Sequence, residues 1–174
     1  PRDFLDAISL KILTLFKRYK IVVITNLLKE DLVNKYNLDA KRVIVLPDGV
    51  DMELFLPNKQ DNLLHNEKDL SKPLVVYTGS LFPWKGVYTL IDVAKSSPDL
   101  HFWIVGGYKN DIEMVKKSAE SLANVKVWGY VTHSEIRNFL QCADVLVLPN
   151  SATYRMSERY TSPLKLFEYM ASGK

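Results

Sequence analysis

Between residues 74 and 148 the chain alternates short apolar runs with amphipathic helical stripes, and few folds accept such a rhythm. The runs are Leu74 to Thr78, Leu100 to Val105, Val125 to Trp128 and Val145 to Leu148. Between them lie the stripes Val87, Leu90, Ile91, Ala94, then Ile112, Val115, Ala119, Leu122, then Ile136, Phe139, Leu140. Uninterrupted apolar runs read as strands buried on both faces. Strands that alternate with helices make a parallel sheet covered by helices on both sides. Such sheets bind ligands in the crevice at the carboxyl ends of their strands, beside a topological switch point. The loops after Thr78, Val105, Trp128 and Leu148 are therefore the places to look for chemistry. Thr132 followed by Glu135 predicts a capping box that opens the helix carrying Ile136.

A smaller unit precedes this. Ile21 to Ile24 and Val43 to Leu46 read as strands, with a helix over 27–36 between them. Residues 4–16 carry a helical stripe (Phe4, Leu5, Ile8, Ile12, Leu15, Phe16) that suits packing on a sheet or lying on a membrane surface. The polar stretch 57–72 reads as a linker or surface loop. The organisation expected is thus 1–50 as one unit, 51–72 as linker and 73–174 as the main α/β domain. Pro1 is not a methionine and Lys174 follows directly on a helical pattern, so an excised piece of a longer chain is expected.

Composition narrows the classes. With 47% hydrophobic and 25% charged residues the chain is globular, and a net charge of +3 suits phosphate-bearing ligands without requiring nucleic acid. The single cysteine, Cys142, excludes an internal disulfide and fits a reducing, cytoplasmic setting. It is expected as a small core residue. His65, His101 and His133 lack metal-ligand spacing and read as surface or capping residues. No run of eighteen apolar residues is present to span a membrane.

Three stretches could carry chemistry. Gly79-Ser80-Leu81-Phe82-Pro83-Trp84-Lys85-Gly86 follows a strand and places Lys85 at a helix mouth, where anions are favoured; a surface lysine beside a turn is the plain alternative. Gly106 and Gly107 allow close backbone approach to a ligand, or simply make a turn. Ser162-Pro163 is expected to open the last helix, with Ser162 as N-cap and Pro163 at its first position. Leu164, Phe167 and Ala171 would form its buried stripe, leaving Lys165, Glu168 and Ser172 on a wetter face. The free amides of that helix start could hold a diphosphate. Glu168 could accept two hydrogen bonds from a ribose diol, or pair with Lys165 in solvent.

The stretches VLPDGVD at 45–51, YTGSLFPWKGVYTLI at 77–91, ADVLVLPNS at 143–151 and SPLKLFEYMASGK at 162–174 together resemble the retaining glycosyltransferases of family four, which have the two-Rossmann-domain GT-B fold. The resemblance implies a donor-binding half in which residues before about Pro47 end the acceptor domain. It implies that Gly79, Ser80 and Lys85 attend the donor's diphosphate, Lys85 stabilising the leaving group. The amides of Leu164 and Lys165, with Ser162, would cradle the phosphate, and Glu168 would hold the ribose. Gly106 and Gly107 would border the ligand, and Tyr130, in Gly129-Tyr130-Val131, would lie under the base. Lys85's side chain is expected to matter more than that of Lys165. The implied partners are a nucleoside-diphosphate sugar and a hydroxyl acceptor such as a glycan or lipid, with no metal, no cofactor and no nucleic acid. Peripheral contact of the parent enzyme with a membrane's inner face fits the same family.

Two positions depart from the pattern. Ser80 stands where the family has an arginine, and Tyr160 stands where it has a glutamate. Either Glu158 takes over the sugar contact or that contact is lost, and Arg155 or Arg159 could supply the missing positive charge. The chain alone, with little acceptor domain, is expected to bind donor without transferring sugar. A binding module without transferase activity remains open, as does, less strongly, an epimerase using His133 or Glu158 as acid or base.

Overall fold

The computed structural model describes residues 9, 10, 12, 16, 19–56 and 63–174. Most of the helix expected over 4–16, and part of the expected linker, lie outside the described residues. The chain divides into two compact units, 1–48 with 155–162, and 49–154 with 163–174.

In the first unit β1 (Ile21–Val23) and β2 (Val43–Val45) pair in parallel, joined by α1 (Asn26–Tyr36). Thr25 caps α1: its Oγ1 accepts from the Leu28 amide at 3.0 Å and donates to the Arg159 carbonyl at 3.0 Å. Val23, Leu38 and Val43 form a small core. The short helix α6 (Arg155–Arg159) also belongs to this unit.

The second unit holds a four-stranded sheet in the order β5 (Val125–Gly129), β4 (His101–Val105), β3 (Leu74–Thr78), β6 (Val145–Leu146), every neighbouring pair parallel. The alternation along β3 shows why both faces are covered. Val75 and Tyr77 join Val87, Leu90 and Ile91 of α3 (Val87–Ser96) and Val115 of α4 (Lys109–Ser118) in one core. Leu74 and Val76 join Trp103, Phe139 and Cys142 in the other, under α5 (His133–Cys142). This is a doubly wound Rossmann-like sheet. Strands run outward from β3 through β4 to β5, then return to β6 on the other side of β3. The switch point therefore lies between β3 and β6.

The stretch 51–72 is more than a linker. Asp51 caps the short helix α2 (Met52–Phe55), and Phe55 is buried with Leu140, Tyr169 and Ala171. Lys68 reaches Asp144 at 2.8 Å, and Asp144 in turn accepts from the Leu74 amide at 2.7 Å. The polar composition concealed these anchors.

The last helix, α7 (Leu164–Ala171), begins later than expected and faces the other way. Pro163 has ψ 108° and occupies the N-cap position outside the helix. The Ser162 hydroxyl instead accepts from the Asp48 amide at 3.3 Å. Lys165, Tyr169, Ala171 and Ser172 are buried, while Leu164, Leu166 and Met170 are exposed. An amphipathic helix ordinarily buries its apolar side; here an inward row of Lys165, Glu168, Tyr169 and Ser172, at helical spacing, meets the polar end of the sheet.

Tyr169 fixes that docking. Its hydroxyl accepts from the buried Thr78 amide at 2.9 Å, at the end of β3. Tyr169→Phe leaves that amide unpaired, and should cost about 1–3 kcal/mol of stability. Urea unfolding checks this; an unchanged midpoint would mean that α7 is held by other contacts.

Candidate functional site

At the carboxyl ends of β3 and β4 the backbone turns on three glycines with positive φ: Gly79 (127°), Gly106 (108°) and Gly107 (92°). Their closeness is required. A Cβ on Gly106 would stand 2.4 Å from the Gly79 carbonyl oxygen, and one on Gly107 would strike Leu81. The strand ends are tied together, Gly79 donating to Val105 at 2.9 Å and Gly106 to Gly129 at 2.6 Å. Above them opens a cleft of about 270 Å³, lined by Gly79, Ser80, Gly106, Gly107, Tyr108, Tyr130, Val131, His133 and Ile136. Tyr130 is largely exposed on its rim. The Ser80 carbonyl accepts from the Tyr77 hydroxyl at 2.6 Å, which pins the loop after β3.

Lys165 holds the most unusual position. Its Nζ lies 3.9 Å from the centre of the Tyr77 ring. It is 3.2 Å from where a side chain on Gly79 would begin. The amine is buried and has no hydrogen-bond partner among the described residues. Burial, then repulsion from Lys85, pull its pKa down to about 7, and attraction to Glu168 only partly opposes this. Lys85 ends a 3-10 turn over Pro83–Lys85 and is itself shifted downward by burial. Two amines are thus brought together beside Gly79, and the one nearer the glycine is Lys165. Lys165 is thus the more deeply placed of the two, over Tyr77 and beside Gly79.

The start of α7 supplies amides as expected. The Leu164 and Lys165 amides precede the turn closed by Leu166 N–H to the Pro163 carbonyl at 2.9 Å. One turn along, Glu168 is only 12% exposed and is bonded through Oε1 to His133 Nε2 at 2.8 Å. Its partner His133 lines the cleft, whereas Glu168 is not among the lining residues, and it forms no ion pair with Lys165. His133, read from sequence as a surface or capping residue, opens α5 behind the Thr132–Glu135 capping box, which is formed. Its position directly after β5, at a strand's carboxyl end, was the signal for it.

Of the two departures from the family pattern, Ser80 lines the cleft of the second unit and Tyr160 falls in the first. The Tyr160 hydroxyl donates to Asp31, and Arg155 and Arg159 approach the same carboxylate at 3.2 and 3.3 Å. These partners hold the Asp31 carboxyl below its ordinary range, the Tyr160 hydrogen bond most strongly. Both arginines thus pair with Asp31 within this unit. Glu158 sits with them on α6, in the same unit. A cavity of about 600 Å³ lies beside this cluster, lined by Asp31, Asn34, Lys35, Arg155 and Tyr160.

A doubly wound parallel sheet with a glycine-lined cleft at the carboxyl ends of its strands defines a Rossmann-like class of domain. The chain belongs to the family glycosyl transferases group 1, whose model matches residues 72–174. It is 25% identical over 132 residues to the phosphatidylinositol N-acetylglucosaminyltransferase GPI3 subunit of Saccharomyces cerevisiae, covering 72% of this chain and 29% of that one. It is 28% identical over 112 residues to a GDP-mannose-dependent monoacylated alpha-(1-6)-phosphatidylinositol monomannoside mannosyltransferase of Corynebacterium glutamicum, covering 60% and 29%. The chain thus spans about three tenths of the length of these relatives. Among solved structures, Anabaena HepE in complex with UDP and glucose aligns with TM-score 0.70 at 19% identity, covering 89% of this chain and 42% of that one. That likeness places the fold among GT-B enzymes. No helix among the described residues is long and apolar enough to cross a membrane.

Proposed function

We propose that this chain is the donor-binding part of a glycosyltransferase that takes a nucleoside-diphosphate sugar and passes the sugar to a hydroxyl acceptor with retention of configuration. The observation that carries the proposal is the buried amine of Lys165 beside Gly79, which meets the Tyr77 ring but has no hydrogen-bond acceptor among the described residues. A buried cation without a hydrogen-bond acceptor costs stability, so its place is best explained by an anion that arrives there. In the reaction the bond from the sugar's anomeric carbon to the diphosphate breaks, and the diphosphate leaves with the electron pair. The acceptor oxygen bonds to that carbon and loses its proton. Negative charge thus grows on the departing diphosphate, where Lys165, Lys85 and the first amides of α7 are already aimed. The glycines let the backbone approach. Glu168, one turn farther from the phosphate, suits the ribose diol, and Tyr130 and Val131 border the place of the base. The lipid-linked acceptors named for the relatives suggest the same acceptor class here.

Calorimetric titration with uridine and guanosine diphosphates tests the proposal. Binding of at least one below millimolar concentration is expected, and no heat at millimolar ligand would overturn it. The pH dependence is more specific. In the empty site Lys165 loses its proton near pH 7. A bound diphosphate favours the ammonium form, so binding takes up a proton and affinity falls as pH rises. The terminal phosphate, with a second pKa of about 6, is fully ionised by roughly pH 7.5. From there to pH 9 the apparent Kd should rise roughly 10- to 30-fold. Of the facing groups, the Tyr77 hydroxyl is raised by burial and stays protonated over this range, and Lys85 is lowered by burial, in the same direction as Lys165. A flat profile would place the diphosphate away from Lys165.

A further inference from the structure

We propose that His133 is a positioning residue for the donor's ribose, acting through Glu168. The inference rests on the nucleotide reading above and adds a residue to it. Three contacts form a line from the core to the cleft. Phe55 is fully buried among Leu140, Tyr169 and Ala171, and so is a fixed reference. Its ring meets the His133 imidazole edge-on, centroids 5.3 Å apart at 67°. The imidazole Nε2 then lies 2.8 Å from Glu168 Oε1. A hydrogen bond to a carboxylate needs a proton on Nε2, so this contact also selects the tautomer.

The backbone beneath the ring is fixed as well. The Glu135 carboxylate accepts from the Thr132 amide at 2.8 Å and from the Thr132 hydroxyl at 2.6 Å. A carboxylate held at one oxygen by a ring that is itself held on two sides keeps its other oxygen in one orientation. That fixed oxygen suits a pair of adjacent hydroxyls. An ordinary exposed ion pair would contribute little and would leave both partners in water. Here the carboxylate is 12% exposed, whereas the ring is 66% exposed and lines the cleft with Gly79, Gly106 and Tyr130. The titratable groups around Glu168 are His133, and Lys165 one turn back, with Tyr169 adjacent on the helix. Of these only His133 bonds it among the described residues.

The test compares uridine and guanosine diphosphates with their 2′,3′-dideoxy forms by calorimetry on the intact protein. The parent should prefer the ribose form by about 10-fold or more, the loss expected when a charged acceptor loses its donors. In His133→Ala the preference should collapse to within about twofold, with affinity for the dideoxy form nearly unchanged. His133→Phe, which keeps a ring against Phe55 but has no donor, should behave as His133→Ala does. His133→Gln, whose amide reaches the Nε2 position, should restore most of the preference. Undiminished preference in both His133→Ala and His133→Phe overturns this inference alone. Absence of any diphosphate binding to the parent removes the nucleotide reading and this inference with it.

Discussion

Replacing Lys165 by methionine is expected to weaken nucleoside-diphosphate binding about 10- to 150-fold at pH 7, the range of about 1.5–3 kcal/mol for a hydrogen bond to a charged group. Methionine keeps most of the volume and apolar length of the stem over Tyr77 while removing the amine. The same substitution should raise the stability of the unliganded protein. Burial pulls the folded pKa of Lys165 to about 7 from an ordinary 10.5. Between those values the unfolded chain binds more protons than the folded one, so parent stability should rise with pH across that window. The penalty of the buried charge is fully present below pH 7 and is relieved as pH rises. Lys165→Met should therefore melt higher than the parent at pH 6, and should lack the rise above pH 7. Weaker binding with higher stability separates a ligand-binding amine from a structural one. If the variant binds as tightly as the parent, or melts lower at pH 6, the anion site is elsewhere. Lys85→Ala, altering the less buried amine, should lose less affinity than Lys165→Met.

The sheet is legible in the sequence because its signal is repeated. Each strand of the main domain is a mostly apolar run, the helices between them carry apolar stripes, and the switch-point rule then names the loops that matter. The glycines at 79, 106 and 107 follow from the same logic. What sequence periodicity does not supply is the surface against which α7 packs. Leu164, Phe167 and Ala171 form a plausible apolar stripe, yet the helix lies on the polar ends of strands, so Lys165 and Tyr169 turn inward. The cap differs from expectation for a related reason. Ser-Pro is a common helix start, but the Ser162 hydroxyl is used by Asp48, far away in sequence. Nor does the sequence show that Arg155, Arg159 and Tyr160 share one partner, Asp31. The Ser162 and Asp31 contacts each span more than a hundred residues, which spacing does not encode.

Gly86→Ala should be among the most damaging single substitutions in the second unit. Gly86 has φ 80° and ψ 17°, and serves both as the end of the Pro83–Lys85 turn and as the N-cap of α3. Its amide donates to the Pro83 carbonyl at 3.1 Å, and its carbonyl accepts from the Leu90 amide at 3.1 Å. Alanine in this left-handed conformation costs about 1–2 kcal/mol by itself. Steric overlap costs more. A Cβ at position 86 would stand 1.8 Å from the Pro149 carbonyl oxygen and 2.6 Å from its carbon, both backbone atoms. No rotamer change relieves that overlap. The loop beyond β6 would have to move, straining the contact from the Ser151 amide to the Trp84 carbonyl. Together these should exceed about 3 kcal/mol, beyond the usual range for one substitution. At about 2–4 °C per kcal/mol for a chain of this size, the melting temperature should fall by roughly 6–12 °C. Lys85 precedes this glycine directly, so diphosphate affinity measured well below the melting range should fall too. Gly49→Ala is the matching control, with no positive φ and nothing within 4 Å of its Cβ, and should leave both properties nearly unchanged. If Gly86→Ala melts within about 2 °C of the parent, the close approach of the loops after β3 and β6 is wrong, and with it the geometry that brings Lys85 toward Lys165.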